Sequence, residues 1–72
     1  MDLHNRLKEL RRQAGLTQES LANLAGVTRQ TVIAVEKSKF VPSVRLALEF
    51  ASALDADLKD VFWLEKDKGA ES

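Results

Sequence analysis

The amino-acid sequence predicts a compact all-α domain of five short helices. Apolar residues recur at helical spacing in several separate segments, residues that favour helix N-termini precede them, and glycine or proline interrupts them. A chain of 72 residues has room for one domain, which we expect over residues 1–66. The segment VFWLEK near its end is interpreted as either the end of the fifth helix or a short strand.

A first amphipathic helix is predicted at the N-terminus. Its apolar positions follow the spacing i, i+4, i+7 and i+11, which places on one face Leu3, Leu7, Leu10 and Ala14. We expect Asp2 to cap the start of this helix, and Gly15 to end it because glycine commonly occupies the C′ position. His4 is then an exposed residue on the same helix.

Two further helices are joined by a short turn at Gly26. Thr17 is the expected N-cap of the second helix, whose apolar face comprises Leu21, Leu24 and Ala25. Gly26 ends this helix, because glycine tolerates the positive φ of a sharp turn. Thr28 caps the third helix, whose buried stripe at i and i+3 comprises Val32 and Val35.

The second half of the chain is predicted to add a loop, two helices and a tail. Pro42 keeps the segment KSKFVPS out of a helix, and Ser43 caps the fourth helix. The broad apolar side of that helix comprises Val44, Leu46, Ala47, Phe50, Ala51 and Leu54. Asp57 and Asp60 resemble a capping pair for a short fifth helix, and residues 67–72 are expected to form a frayed tail.

Composition argues against several classes of protein. The chain has no cysteine, so it offers neither disulfides nor a cysteine-based zinc site, and His4 has no obvious metal-binding partners. Its longest apolar runs, VIAV and VFWL, are far shorter than the ~20 residues that span a bilayer. No paired carboxylates or nucleophile–base pair suggest an enzyme. We therefore expect a cytoplasmic protein without membrane association, metal or other cofactor.

Charge is distributed unevenly although its sum is zero. Residues 28–45 carry four basic side chains and one acidic one, whereas residues 55–72 carry six acidic and three basic ones. A basic middle segment fits contact with nucleic acid, but chance alone produces comparable unevenness in small proteins. A protein that binds DNA without sequence preference should be strongly basic, and this chain is not.

Residues 17–37 fill the structural positions of a helix-turn-helix motif. Ala22 is small where two helices must cross closely, Gly26 allows the turn, and Val27 can enter the core. The segments GLTQESLA and GVTRQTV, with the Glu-x-x-Lys that follows, resemble the lambda-repressor-like, Cro and C1-type helix-turn-helix family, also called the XRE family. The resemblance covers about residues 3–64, and the segment LKDVFWLEK is similar to that of small stand-alone members.

The resemblance implies binding to double-stranded DNA, with residues 28–37 as the recognition helix. Residues near the N-terminus of such a helix reach base edges in the major groove. The candidate base-reading residues are Thr28, Arg29, Gln30, Thr31, Ile33 and Ala34. Arginine can bond guanine and glutamine can bond adenine through two hydrogen bonds each. Ile33 either contacts a thymine methyl group or packs at the rim of the core.

Residues flanking the recognition helix are expected to contact phosphate groups. The resemblance places a phosphate-contacting glutamine at Gln18, and the other candidates are Arg11, Lys37, Lys39 and Ser43. The alternative for the lysines is ordinary solubility, and for Ser43 a purely capping role. The family often has Asn-Gly where this chain has Lys37-Ser38, so we expect the loop to close differently.

The resemblance also implies a structural ion pair and a dimer. An arginine late in helix one pairs with a glutamate at the end of helix three, which corresponds here to Arg11 and Glu36. Family members usually bind palindromic sites as symmetric dimers, so a homodimer is expected. Its predicted interface comprises Leu54, Val61, Phe62, Trp63 and Leu64, although Phe62 and Trp63 could instead cap the core.

The sequence thus favours a sequence-specific transcriptional regulator, with repression as the preferred role. The alternative is a protein-interaction module of the same fold, such as the antitoxin of a toxin–antitoxin pair. In that case the acidic C-terminal segment would bind a basic toxin.

Overall fold

The computed structural model describes residues 1–65, which form five helices and a small antiparallel sheet. The elements in chain order are β1 Asp2–Asn5, α1 Leu7–Gln13, α2 Gln18–Ala25, α3 Arg29–Glu36, α4 Val44–Ala53, α5 Leu58–Val61 and β2 Phe62–Glu65. The five predicted helices are confirmed; Val61 ends α5, and Phe62–Glu65 forms a strand. The frayed tail predicted for residues 67–72 lies outside the described residues.

The core lies where α2 packs against both α3 and α4. Its largest fully buried side chains come from five different helices: Leu7, Leu21, Val32, Val35, Phe50 and Val61. Because each helix is short, none buries enough apolar surface to be stable alone. The helices therefore depend on one another, and the position of α3 is set by its contacts with the rest of the domain.

Three residues predicted on buried faces are exposed instead. Leu24 is 58% exposed, Val44 is 74% exposed, and Ala14 also faces solvent. The buried stripe of α4 comprises Leu46, Ala47, Phe50 and Ala51. Val44 precedes Leu46 by two residues, which is about 200° around a helix, so it points away from that stripe. The apolar faces are narrower than their composition suggested.

The predicted N-caps of α2, α3 and α4 are confirmed. The side-chain oxygens of Thr17, Thr28 and Ser43 each accept a hydrogen bond from the backbone N–H three residues later, at 3.0, 3.3 and 3.1 Å. Asp57 occupies the N-cap position of α5 but makes no capping hydrogen bond with its side chain. The capping pair predicted for Asp57 and Asp60 is therefore wrong, although the helix itself is present.

The prediction that helix one begins at Asp2 is wrong. Residues Asp2–Asn5 form β1, which pairs with β2 in an antiparallel register from Asp2 opposite Glu65 to Asn5 opposite Phe62. Asp2 therefore caps no helix; the Asn5 Oδ1 accepts a hydrogen bond from the Leu7 N–H at 3.0 Å instead. A strand forms here because the C-terminal segment supplies a hydrogen-bonding partner.

The outer face of this sheet carries an aromatic stack. The imidazole of His4 stacks on Trp63 with 6.2 Å between ring centroids, and the Arg6 guanidinium carbon lies 5.3 Å from the centroid of the Trp63 ring. His4 was predicted on a helix, whereas it is a half-buried strand residue. Leu3 and Phe62 lie on the opposite face of the sheet and pack into or against the core. The sheet therefore attaches both of its strands to the rest of the domain.

Ser38 ends α3 in the left-handed conformation that glycine usually supplies. Its φ is 59°, against 75° for Gly15 and Gly26. The Ser38 N–H bonds to the Val35 carbonyl at 3.0 Å and the Lys39 N–H to the Ala34 carbonyl at 2.9 Å, which is the Schellman pattern. The expectation that serine changes how the loop closes is therefore wrong. The chain leaves α3 through the usual left-handed residue, and Ser38 adopts that conformation with some backbone strain.

We predict that Ser38→Gly stabilises the domain. A left-handed residue other than glycine costs ~1–2 kcal/mol, and glycine's larger unfolded-state entropy offsets part of this, leaving a gain of about 0.5 kcal/mol. Urea unfolding followed by circular dichroism measures the difference. Ser52→Gly, the same change inside α4, is the control and should lower stability by about 0.5 kcal/mol. A loss of stability at both positions would contradict the role given to Ser38.

Candidate nucleic-acid interface

The N-terminal end of α3 presents a polar surface to solvent. The buried side of this helix is formed by Val32 and Val35, which are 0% and 1% exposed. The predicted base-reading residues lie away from that side: Thr28, Arg29 and Gln30 are exposed, and Thr31, Ile33 and Ala34 are half-buried. The structure thus brings the six residues together on one short helix with its polar end free.

The six residues differ in the freedom of their side chains. Thr28 and Thr31 are tied locally, since their hydroxyl oxygens lie 3.2 Å apart and Thr28 also caps the helix. Arg29 and Gln30 are long, exposed side chains beside them, able to extend from the surface. Ile33 is half-buried and so retains partial surface for an apolar contact. The side chains of this group with the greatest reach into solvent are therefore Arg29 and Gln30.

A buried ion pair fixes the other end of α3. The Arg11 Nε lies 2.7 Å from the Glu36 Oε2, and the two side chains are only 10% and 3% exposed. The Arg11 Nη1 also donates to the Leu16 carbonyl at 2.8 Å, and the Gln18 Nε2 donates to the Glu36 Oε1 at 3.2 Å. Glu36 is thus held by α1 and by the start of α2 together, and its pairing with Arg11 is the one that the family resemblance implied.

This network bears on the expected roles of Arg11 and Gln18. Arg11 is 8% exposed, and its Nε and Nη1 donate to Glu36 and Leu16. A guanidinium has five N–H donors, so a phosphate contact at Arg11 stays a prediction beside its ion pair. Gln18 is half-buried and shares its amide with Glu36, but the same amide keeps a second N–H. The first backbone N–H groups of α2 also lack partners inside the helix. A phosphate contact at Gln18 stays a prediction.

The loop between α3 and α4 supplies the remaining predicted phosphate contacts. Lys37 and Lys39 are exposed on either side of the left-handed Ser38. Ser43 is also exposed, and its side-chain oxygen accepts the capping hydrogen bond from the Leu46 N–H. An oxygen that accepts at a cap still carries its own hydrogen for donation. Ser43 can therefore cap α4 and contact an anion at the same time.

Asn5 is a positioning residue that the sequence reasoning missed. Its Nδ2 donates to the Val35 carbonyl at 3.1 Å and lies 3.5 Å from the Ser38 Oγ, while its Oδ1 accepts from the Leu7 N–H. One side chain thus links β1, the first turn of α1 and the end of α3. With Asp2–Asn5 predicted as a helix, no local signal pointed to this contact, because its partners lie about 30 residues away.

The predicted dimer interface is largely buried within the monomer. Val61 is 0% exposed and Phe62 is 8% exposed, both as part of the core, so neither presents a surface to a second copy. Leu54 and Trp63 are half-buried, the latter beneath His4 and Arg6. Leu64 alone of the predicted five is well exposed, at 59%. The core-capping alternative proposed for Phe62 therefore describes it correctly.

The surroundings of His4 are aromatic and acidic. Its Nε2 lies 3.8 Å from the Oε1 of the exposed Glu65, on the outer face of the sheet. Among residues 1–65, no group of three or more histidine, cysteine, aspartate or glutamate side chains is placed to hold a metal ion. Within the same span, no helix combines the length and apolar character needed to cross a membrane.

The fold and this surface define a small helix-turn-helix domain. A family model described as helix-turn-helix matches residues 7–61. The chain is 49% identical over 65 residues to the HTH-type transcriptional regulator YgzD of Bacillus subtilis, covering 90% of this chain and 98% of YgzD. It is 44% identical over 66 residues to the HTH-type transcriptional regulator MJ0272 of Methanocaldococcus jannaschii, covering 92% of this chain and all of that protein.

A solved structure supports the same relationship. The restriction-modification controller protein C.AhdI from Aeromonas hydrophila superposes with a TM-score of 0.73 at 42% sequence identity, covering 76% of this chain and 80% of that one. The chain therefore belongs to the Cro/C1-type, or XRE, helix-turn-helix family of DNA-binding transcriptional regulators. The family resemblance predicted from residues 3–64 is confirmed.

We predict that Glu36→Ala destabilises the domain by about 3–5 kcal/mol, because it leaves the Arg11 charge buried without a partner. Glu36→Gln keeps a hydrogen-bond acceptor and should cost less. Urea unfolding measures both. Glu9→Ala, which removes an exposed carboxylate from α1, is the control and should change stability by less than about 0.5 kcal/mol. Similar losses for Glu36→Ala and Glu9→Ala would show that the ion pair does not fix α3.

Proposed function

We propose that this protein is a sequence-specific repressor of transcription that binds a palindromic operator as a homodimer, with α3 in the major groove. The observation that carries the proposal is the exposed polar end of α3, on a helix held by Val32, Val35 and the buried Glu36. A B-DNA major groove admits an α-helix, and side chains at its N-terminal end reach base edges. Membership of the helix-turn-helix family supports the same target.

Base reading is assigned chiefly to Arg29 and Gln30. Arginine suits the paired acceptors of guanine, and glutamine suits the acceptor and donor of adenine. Thr28, Thr31 and Ala34 lie close enough on the same helix for shorter contacts, and the half-buried Ile33 can contact a thymine methyl group. These contacts give the protein its sequence preference.

Phosphate contacts are assigned to residues on both sides of that helix. Lys37 and Lys39 lie just after its C-terminal end, Ser43 caps the next helix, and Gln18 begins the preceding one. Contacts of this kind hold the domain in register without distinguishing sequences. Salt should therefore weaken binding in proportion to the number of phosphates engaged.

A dimer follows from the small reading surface. A helix of eight residues contacts only a few base pairs, whereas two copies related by two-fold symmetry read two half-sites about 34 Å apart. Repression requires only that the protein occupy a promoter, which a DNA-binding domain achieves by itself. Because the target is chromosomal DNA, we place the protein in the cytoplasm.

We predict that Arg29→Ala weakens binding to a site selected from random DNA by about 1–3 kcal/mol, and relaxes the preference at one base pair. Gln30→Ala should act in the same way at a different base pair. Gel shifts against every single-base variant of the selected site measure both effects. A uniform loss across all variants would mean that these side chains contact phosphate instead of bases.

Two lysine variants serve as contrasts for that experiment. Lys39→Ala should weaken binding to all sequences alike and reduce the slope of log affinity against log salt by about one. Lys59→Ala removes an exposed lysine from α5, which packs on α4 and β2, and should leave binding unchanged. Equal affinity of the unmodified protein for every sequence would contradict the proposed function itself.

We also predict a dependence on half-site spacing. Inserting about 5 base pairs between the half-sites turns one of them to the opposite face of the duplex, where the second α3 cannot reach it. Affinity should then fall to that of a single half-site, as measured by gel shift at fixed salt. Equal affinity for the palindrome and for an isolated half-site would argue for a monomer on DNA.

A further inference from the structure

The first turns of α4 carry exposed apolar side chains that lie outside the core. Val44 is 74% exposed and Leu48 is 50% exposed, and they lie one turn apart on the same side of the helix. Leu24 of α2, at 58% exposure, borders a groove whose other wall includes Arg45 and Glu49. We call these five residues the α4 face. Its apolar side chains favour removal from water.

The charges on the α4 face are arranged to fit a second copy of themselves. Arg45 and Glu49 are one turn apart, 89% and 42% exposed, and their closest side-chain atoms are 3.8 Å apart. A pair this open is screened by water and contributes little within one chain. In a two-fold interface, residue i of each copy contacts residue j of the other, so every contact occurs twice. Two α4 helices packed antiparallel therefore match each Arg45 with the other copy's Glu49.

The sheet offers a poorer surface for self-association. Asp2 and Glu65 stand directly opposite each other at its outer end. Joining two copies there gathers four carboxylates, and like charges placed opposite each other are unfavourable. Leu64 is the single well-exposed apolar residue among those first predicted for the interface, and Trp63 is covered by His4 and Arg6.

We propose that the α4 face is the contact between two copies of this chain. The inference rests on the homodimer of the proposed function and identifies the surface that forms it. The face contains none of the residues at the exposed end of α3, from Thr28 to Thr31, although Val27 and Ser43 line the same groove. Leu24, Val44 and Leu48 supply the buried apolar contact, and the two Arg45–Glu49 pairs fix its antiparallel direction.

The test is a charge-exchange experiment on the full chain. Arg45→Glu alone and Glu49→Arg alone each place like charges across the interface, and each should weaken dimerisation at least about tenfold. The double variant restores opposite charges in exchanged positions and should recover most of that loss. Sedimentation equilibrium over a range of protein concentrations measures the dimer dissociation constant of all four proteins.

Two apolar variants compare the α4 face with the sheet. Leu48→Glu should produce a monomer at concentrations where the unmodified protein is a dimer, whereas Leu64→Glu on β2 should leave the dimer intact. Circular dichroism establishes that each variant is folded. If Leu48→Glu does not fold, the charge variants decide alone, because their positions are exposed and lie outside the core.

The outcomes separate this inference from the proposed function. A dimer that survives Leu48→Glu and both charge reversals, or that is lost with Leu64→Glu, overturns the α4 face while leaving the homodimer in place. Single reversals that weaken the dimer without recovery in the double variant also overturn the pairing. An unmodified protein that is monomeric with and without DNA overturns the dimer altogether, and sequence-specific gel shifts still test base reading independently.

Discussion

The buried pair of Arg11 and Glu36 is the interaction on which the position of α3 depends. The base reading proposed for α3 requires a helix that is fixed relative to the domain, and α3 has just eight residues to anchor it. Two buried valines hold one side of the helix. The ion pair and the hydrogen bonds of Gln18 and Leu16 tie the C-terminal end of α3 to α1 and to the start of α2.

The two ends of α3 are held by different kinds of contact. Its polar N-terminal end has only a local cap, so the side chains there remain exposed to solvent. Thr28 caps the start with a local hydrogen bond, which uses no side chain from elsewhere in the domain. At the other end, Asn5 and Ser38 complete the hydrogen bonding of the final turn, beside the ion pair. Within residues 1–65, the long-range side-chain hydrogen bonds of α3 lie at its C-terminal end, and the exposed Arg29 and Gln30 take no part in them.

Most features that depend on neighbouring residues could be predicted from the sequence, although the capping pair at Asp57 and Asp60 and the altered exit at Ser38 were not found. Features that depend on distant partners could not be predicted. The caps at Thr17, Thr28 and Ser43 follow from local chemistry, as do the turns at Gly15 and Gly26. The strand at Asp2–Asn5 forms only because Phe62–Glu65 lies beside it, and the spacing of Leu3 and Leu7 fits a helix equally well. The ion pair was found because the family resemblance supplied a contact that spacing cannot.

The small size of the chain explains why the predicted dimer surface was wrong in part. A domain this short buries a limited fraction of its surface, so large side chains near its ends are drawn into the core. Phe62 packs 6.5 Å from Phe50, measured between ring centroids, and Val61 is fully enclosed. An aromatic segment at the end of the chain suggests an interface when the sequence is considered alone. Once those residues complete the core, the apolar side chains that stay exposed lie elsewhere, among them Val44 and Leu48 on α4.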